Sequence, residues 1–170
     1  MAMGDQRTNP ITPDGYAALK ARYDHLIGKE RPEIVEIVSW AAGNGDRSEN
    51  GDYLYGRKRM REIDRELAHL SRRMKWSRII DPATQEHRDR VLFGATVELA
   101  DEDDERRTLT LVGDDEQLPS EGRIGWTSPM ARALRGASVG DVRTLRLPAG
   151  EEELEIMAIS YPDFAERMGA

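Results

Sequence analysis

One stripe of apolar residues decides what the first half of this 170-residue chain can become. Met60, Ile63, Leu67, Leu70 and Met74 recur at alternating steps of three and four, with Arg, Lys and Glu filling the gaps. That spacing makes one apolar seam along an α-helix, and a seam of this kind is stable only against another helix. Upstream, Tyr16, Leu19, Tyr23 and Leu26 keep the same rhythm, and Ile34, Ile37, Val38 and Ala41 resume it. Residues 13–42 are therefore expected to form the partner helix, with Thr12 as N-cap and Pro13 in the first turn. Pro32 falls inside this run and predicts a kink or a restart. Trp40 is read as a packing residue.

Two seamed helices joined by a short polar turn make an antiparallel hairpin, because their seams can bury only against each other. The hairpin is expected over residues 11–81, behind a flexible tail at 1–10. An arm of ~30 residues at 1.5 Å per residue reaches roughly 45 Å. Its tip is the segment 43–53, GNGDRSENGDY, in which Gly43 and Gly45 suit a helix stop with left-handed backbone.

Pro82 and the polar stretch to Arg90 mark a boundary, after which the period becomes two. Phe93, Ala95, Val97 and Leu99 alternate as in a strand with one buried face. DEDDE reads as a turn, 108–112 as the return strand, and 142–147 and 154–161 as further strands separated by a PAG turn. Ser128 caps a short helix with Pro129 at its first position and Gly136 just past its end. The fold class is α+β: a helical hairpin followed by a small mixed domain at 82–165, with a tail at 166–170.

The net charge of −7 hides an asymmetry: residues 1–80 carry 15 Lys+Arg against 12 Asp+Glu, and residues 81–170 carry 10 against 20. A mildly basic half joined to a strongly acidic one suggests two units with different tasks. The absence of cysteine excludes disulfides and cysteine-ligated zinc and fits a reducing compartment. With no apolar run near the ~20 residues of a membrane helix and no signal-peptide core, a soluble, cytoplasmic protein with no membrane contact is expected, and a monomer.

Asp46 and Glu49 sit three residues apart at the tip and admit more than one reading. Asp at an N-cap with Glu three residues on is a capping box. A calcium loop counted from Asp46 places glycine sixth, but its twelfth residue is Arg57 instead of a bidentate Glu, and a cation there would repel the ion. Two exposed carboxylates can hold Mg²⁺ only weakly, so a site this thin is useful if another molecule supplies the missing ligands. Behind the tip, Tyr53 and Tyr55 precede Arg57, Lys58, Arg59 and Arg61. Cations track phosphates and aromatics stack unpaired bases, which suits single-stranded RNA. The alternative is a solvated face paired to Glu62, Asp64 and Glu66 over neighbouring turns. Over residues 57–78 nine Lys+Arg face three acids, so neutralisation is incomplete. His25, His69 and His87 are scattered without ligand spacing.

GDRSENGDY followed by RKRMREIDREL resembles the tip and second helix of the bacterial Gre transcript-cleavage factors, their B branch most closely. ERPE early in the hairpin and SPMARALRGASVGD followed by PAG extend the resemblance over about residues 11–162. One departure is Gly51, where Ala is expected after SEN. The resemblance implies that the hairpin enters the secondary channel of RNA polymerase. There Asp46 and Glu49 would help retain a second Mg²⁺, held jointly with the polymerase, and orient the water that cuts the 3′ end of a backtracked nascent RNA. It implies a cofactor of the polymerase's own reaction, not an enzyme. It also implies that the second domain is FKBP-like, with Ser128, Pro129 and Met130 in the part that docks on the channel rim. Rival readings are an inhibitory channel-binding relative and, in another class, an FKBP-like prolyl isomerase or chaperone, which needs an aromatic-lined pocket.

Overall fold

A proline inside a helix removes one N–H and presses its ring on the carbonyl four residues back. Around Pro32 the chain relieves that pressure by widening one turn. The computed structural model describes residues 9–44 and 50–163. In it α1 (Pro13–His25) passes through a π turn at Leu26–Glu30 into α2 (Arg31–Ala42), whose second residue is Pro32. His25, Glu30 and Arg31 keep right-handed helical angles throughout, so the helical run neither breaks nor restarts. The stop at the end of α2 also differs from expectation: Gly43 is right-handed, at φ −81. Gly45 lies outside the described residues.

The chain divides into two compact units, Tyr16–Trp76 being one and the residues on either side of it the other. In the helical unit α3 (Gly51–Lys75) packs against α2 and the π turn. The pairing is antiparallel: Arg22 meets Glu66, Glu30 meets Arg59, and Ala41 meets Asn50. Leu26, Ile34, Ile63, Leu67 and Leu70 are buried between the helices, with Leu19, Tyr23, Val38 and Met60 partly buried against them. Each fully buried aliphatic of this kind contributes about 1.5–3 kcal/mol. Ile37, expected in the stripe, is 41% exposed: Ile34 and Ala41 are buried and Val38 partly so, at steps of four and three, which turns Ile37 outward. Trp40, expected to pack, is 64% exposed.

The other unit holds two sheets. β1 (Asn9–Ile11) and β2 (Ser77–Ile79) form a parallel pair, with Ile11 opposite Ile79. Asn9 and Pro10 are therefore strand residues, where the sequence suggested a tail to residue 10. Glu116 accepts hydrogen bonds from the Thr12 and Gly113 backbone N–H groups, at 3.0 and 2.8 Å, and from the Thr12 hydroxyl. Thr12 in turn caps α1, its Oγ1 accepting from Gly15 N at 3.0 Å.

The larger sheet is built from β3 (Thr96–Ala100), β4 (Arg106–Val112), β5 (Arg123–Gly125), β6 (Val142–Leu147) and β7 (Gly150–Ser160), in the order β5-β4-β3-β7-β6. Only β4 and β5 run parallel. The expected alternation holds, with Phe93, Ala95, Val97 and Leu99 all buried, although the strand itself starts at Thr96. β7 is longer than its expected span and carries a bulge opposite Glu98 and Leu99. Helix α4 (Pro129–Leu134) places Ala131 and Leu134 in one core with Val97, Leu99, Leu111, Leu154 and Ile156. Gly136 follows at φ 78, the left-handed conformation that suits glycine after a helix.

Two glycines of α3 give opposite expectations for the same substitution. A Cβ at Gly56 would lie 2.6 Å from Val38 Cγ2, and a valine in a helix has essentially one rotamer, so it cannot yield. Gly51, by contrast, has open space around the Cβ position. Gly56→Ala should lower the stability of the hairpin by about 1–3 kcal/mol through overpacking. Gly51→Ala should raise it by up to about 1 kcal/mol. Helical melting followed by circular dichroism checks both signs.

Candidate functional site

Among the described residues, one side chain joins the two helices at the distal end of the hairpin. Asn50 is the N-cap of α3: its Oδ1 accepts from Tyr53 N at 3.2 Å, and its Nδ2 donates to Ala41 O at 2.7 Å. One amide therefore satisfies an orphan donor of α3 and a terminal carbonyl of α2, joining the two helix ends. The N-cap position belongs to Asn50, so a capping box built from Asp46 and Glu49 is not what starts α3. Asp46 and Glu49 themselves lie outside the described residues. The donor set they offer is two carboxylates, hard oxygen ligands of the kind Mg²⁺ takes. No cluster of three or more His, Cys, Asp or Glu that could hold a metal exists among the described residues.

Along α3 the cations sort into two groups. Arg59 is bound within the hairpin, to Glu30 across the seam and to Glu62 at 3.3 Å. Two further acids of α3 are engaged as well: Asp64 with Arg31 and Glu66 with Arg22, both at 2.8 Å. The Arg22 hydrogen bond holds the Glu66 carboxyl below its ordinary range. The second group is Arg57, Lys58 and Arg61, all exposed and without a carboxylate partner among the described residues. At roughly 100° per residue they share an outward arc with Arg65 and Arg72, which are also exposed. Sequence reasoning stopped at Arg61 and missed these last two, although their spacing of four and eleven residues from Arg61 carries the signal. Arg57 donates to the Tyr53 hydroxyl at 3.1 Å and lies 5.8 Å from the centre of its ring. Tyr55 is 63% exposed.

In the other unit Ser128 caps α4, its Oγ accepting from Ala131 N at 3.2 Å. Pro129 is exposed beside it, and Met130 is partly buried against the core. An open groove next to this turn is lined by Thr127, Pro129, Arg132, Ala133, Thr144 and Arg146. The aromatic side chains are engaged elsewhere. Phe93 and Trp126 meet edge to face at 5.6 Å, and the Arg135 guanidinium stacks 3.8 Å above Trp126. Burial and the nearby Arg132 push the Arg135 pKa down. Tyr161 accepts from Leu92 N and donates to Arg90 O. A cavity of about 400 Å³ in this unit, lined by Thr12, Asp81, Thr96, Thr110, Glu116 and Arg123 among others, has no aromatic wall. That cavity is therefore not the aromatic-lined pocket that prolyl isomerase chemistry requires. His25, His69 and His87 are not brought together into a cluster.

A two-helix hairpin with a basic outward face, followed by a small mixed sheet, defines a class, and the comparisons name it. Residues 9–79 match the family described as transcription elongation factor, N-terminal, and residues 85–161 that described as transcription elongation factor, GreA/GreB, C-term. Transcription elongation factor GreB of Neisseria meningitidis serogroup B is 50% identical over 159 residues, covering 94% of this chain and 98% of that one. Its counterpart in Yersinia pestis is 42% identical over 160 residues, 94% of this chain and 93% of that one. Among solved structures, Gfh1 of Thermus aquaticus is 26% identical, with a TM-score of 0.42 over 90% of this chain and 98% of that one. The chain belongs to the GreA/GreB family of transcription elongation factors.

The double role of Asn50 can be separated by substitution. Asn50→Ala removes both the cap and the bond to Ala41, and should cost about 1–2 kcal/mol. Asn50→Asp keeps the acceptor for Tyr53 N but cannot donate to Ala41 O. Amide hydrogen exchange over the first two turns of α3 should therefore rise in the order wild type, Asp, Ala. Equal exchange in the Asp variant and wild type would assign no role to the interhelix bond.

Proposed function

We propose that this protein enters the secondary channel of RNA polymerase with its hairpin and stimulates the polymerase's own cleavage of backtracked RNA. The observation that carries the reading is 50% identity, over 94% of the chain, to a protein named transcription elongation factor GreB. The protein acts as a cofactor and not as an enzyme, in the cytoplasm where the polymerase works, and as a monomer. Asp46 and Glu49, which lie outside the described residues, supply two carboxylates at the tip. A Mg²⁺ ion held by them jointly with the polymerase would supply Lewis acidity to the attacked phosphodiester. Their own part is to orient that ligand sphere and to hold a water by hydrogen bonds to the carboxylate oxygens. No helix among the described residues is long and apolar enough to cross a membrane.

RNA contact belongs to the outward arc of α3. Arg57, Lys58, Arg61, Arg65 and Arg72 are available to phosphates, and Tyr55 offers an exposed ring for base stacking. Tyr53 positions Arg57. Arg59 is left out of this set because Glu30 and Glu62 already neutralise it. The second unit, a five-stranded sheet covered by one short helix, we read as FKBP-like in architecture. Its Ser128–Met130 turn docks on the channel rim, with Ser128 holding the turn in shape and Pro129 and Met130 at or near the surface.

Two experiments test this reading. Added to a backtracked elongation complex with Mg²⁺, the protein should shorten the transcript from its 3′ end. Asp46→Asn and Glu49→Gln should each reduce that cleavage severely while leaving affinity for the polymerase nearly unchanged. Normal cleavage by a folded double variant would remove the catalytic assignment, and a rise in arrest would mark an inhibitory relative instead. Reversal of Arg57, Lys58 and Arg61 to Glu should weaken action on long extruded RNA more than on a backtrack of about two nucleotides, since longer RNA offers more phosphates. The difference should shrink as salt rises. RNA crosslinking to α3 that is unchanged in this variant would return the basic arc to a solvated surface.

A further inference from the structure

The face of α2 turned away from the seam is neither basic nor uniformly polar. Glu33, Glu36, Ile37 and Trp40, spaced as neighbours on one side of a helix, line a single open hollow of about 470 Å³. Trp40 is 64% exposed and Ile37 41%. Single exposed apolar residues are ordinary on a protein surface, but a tryptophan and an isoleucine sharing one hollow form a patch. Both glutamates are exposed, and neither meets a cation among the described residues. The nearest arginine in sequence, Arg31, is engaged by Asp64.

We infer that this face of α2 is a protein-docking surface for an arginine- or lysine-bearing segment of the polymerase, the cation lying on the Trp40 ring between Glu33 and Glu36. The chemistry selects the occupant. A cation over an indole gains from the ring quadrupole, and two carboxylates within one to two turns add charge-assisted bonds to the same group. RNA is disfavoured at this position: a base could stack on Trp40, but its phosphates would then lie against two unneutralised carboxylates. A purely apolar partner would leave those carboxylates facing it without pairing. The RNA arc on α3 and this hollow on α2 would thus engage different macromolecules. The inference rests on the reading that the protein works on RNA polymerase, and it adds a protein contact on the hairpin itself, separate from the Ser128–Met130 turn.

The test is binding of the full-length chain to RNA polymerase free of nucleic acid, by biolayer interferometry at several salt concentrations, with transcript cleavage measured in parallel. Trp40→Ala should weaken binding about tenfold or more, the range of a central aromatic contact. Trp40→Phe should recover part of the loss, because phenylalanine keeps a weaker quadrupole. Glu33→Lys with Glu36→Lys should weaken binding by a similar factor at low salt and less at high salt. The three positions are exposed, and unchanged far-ultraviolet circular dichroism verifies the fold. Unaltered affinity in all variants, with cleavage intact, overturns this inference and leaves the proposed function standing. An effect of Trp40→Ala that appears only with RNA present assigns the ring to base stacking and overturns it as well. So does self-association of the unaltered chain that Trp40→Ala abolishes, since a second copy would then cover the hollow. Failure of the unaltered chain to bind polymerase at all overturns both the inference and the function.

Discussion

The apolar seam between α2 and α3 is the contact on which the rest of the helical unit depends. Helical propensity alone contributes little, so the run from α1 through α2 persists mainly because side chains such as Leu26 and Ile34 are buried in one cluster with Ile63, Leu67 and Leu70 of α3. The ion pairs flanking the seam cannot substitute for it. Arg22–Glu66 and Arg31–Asp64 are solvated pairs of the kind that contribute about 0–1 kcal/mol each. Their part is to favour one register over its neighbours. At Gly56 the absence of a side chain lets Val38 approach, and the helices come close enough for Asn50 to reach Ala41 O. Burial, close approach and end closure are thus successive consequences of one stripe.

The other unit solves a different problem, a discontinuous chain. Its β1 and β2 come from either side of the helical unit and are three residues each, so few ladder bonds hold them. Two further features strengthen the pair. Ile11 is fully buried, and Ile80 N donates to Ile11 O at 2.8 Å. Glu116, from a short 3₁₀ turn more than a hundred residues downstream, gathers three donors from Thr12 and Gly113. A Cβ at Gly15 would collide with the Glu116 side chain, so the glycine is where the carboxylate gains access to the start of α1.

Features with a period were legible in the sequence, and features with a single distant partner were not. The seam, the alternation of Phe93, Ala95, Val97 and Leu99, and the cap, proline and glycine around α4 are repeating or local patterns. β1 and β2 are too short to show a period, and their pairing partner lies across the whole helical unit. The π turn before Pro32 leaves no mark beyond the proline itself, which is equally consistent with a kink. Asn50 as the cap of α3 was not read from the sequence, because several good capping residues stand in the tip and only the position where α3 begins decides among them. Arg59 looked like its neighbours until Glu30, on another helix, was seen to face it. Ile37 and Trp40 illustrate the remaining ambiguity: a stripe of alternating threes and fours leaves one residue free to fall on either side, and packing against α3 turned both outward. Asp46 and Glu49 lie outside the described residues, and their assignment rests on resemblance to a known motif, since two carboxylates alone define no chemistry.

A hairpin whose seam occupies one side of each helix leaves two outer faces, and here they differ in sign. α3 presents Arg57, Lys58, Arg61, Arg65 and Arg72, while α2 presents Glu33 and Glu36 beside Ile37 and Trp40. Had the two faces been alike, rotation of the hairpin about its own axis would exchange equivalent surfaces, and nothing electrostatic would oppose it. With unlike faces, a half-turn would bring carboxylates to phosphate and arginines to the protein surface that fits Trp40. Like charges brought together on docking cost several kcal/mol, more than most single favourable contacts contribute. On the proposed reading, this asymmetry fixes the rotational setting in which Asp46 and Glu49 meet the RNA 3′ end. Two carboxylates alone hold Mg²⁺ only weakly as a rule, so on that reading the faces and not the tip would set the orientation.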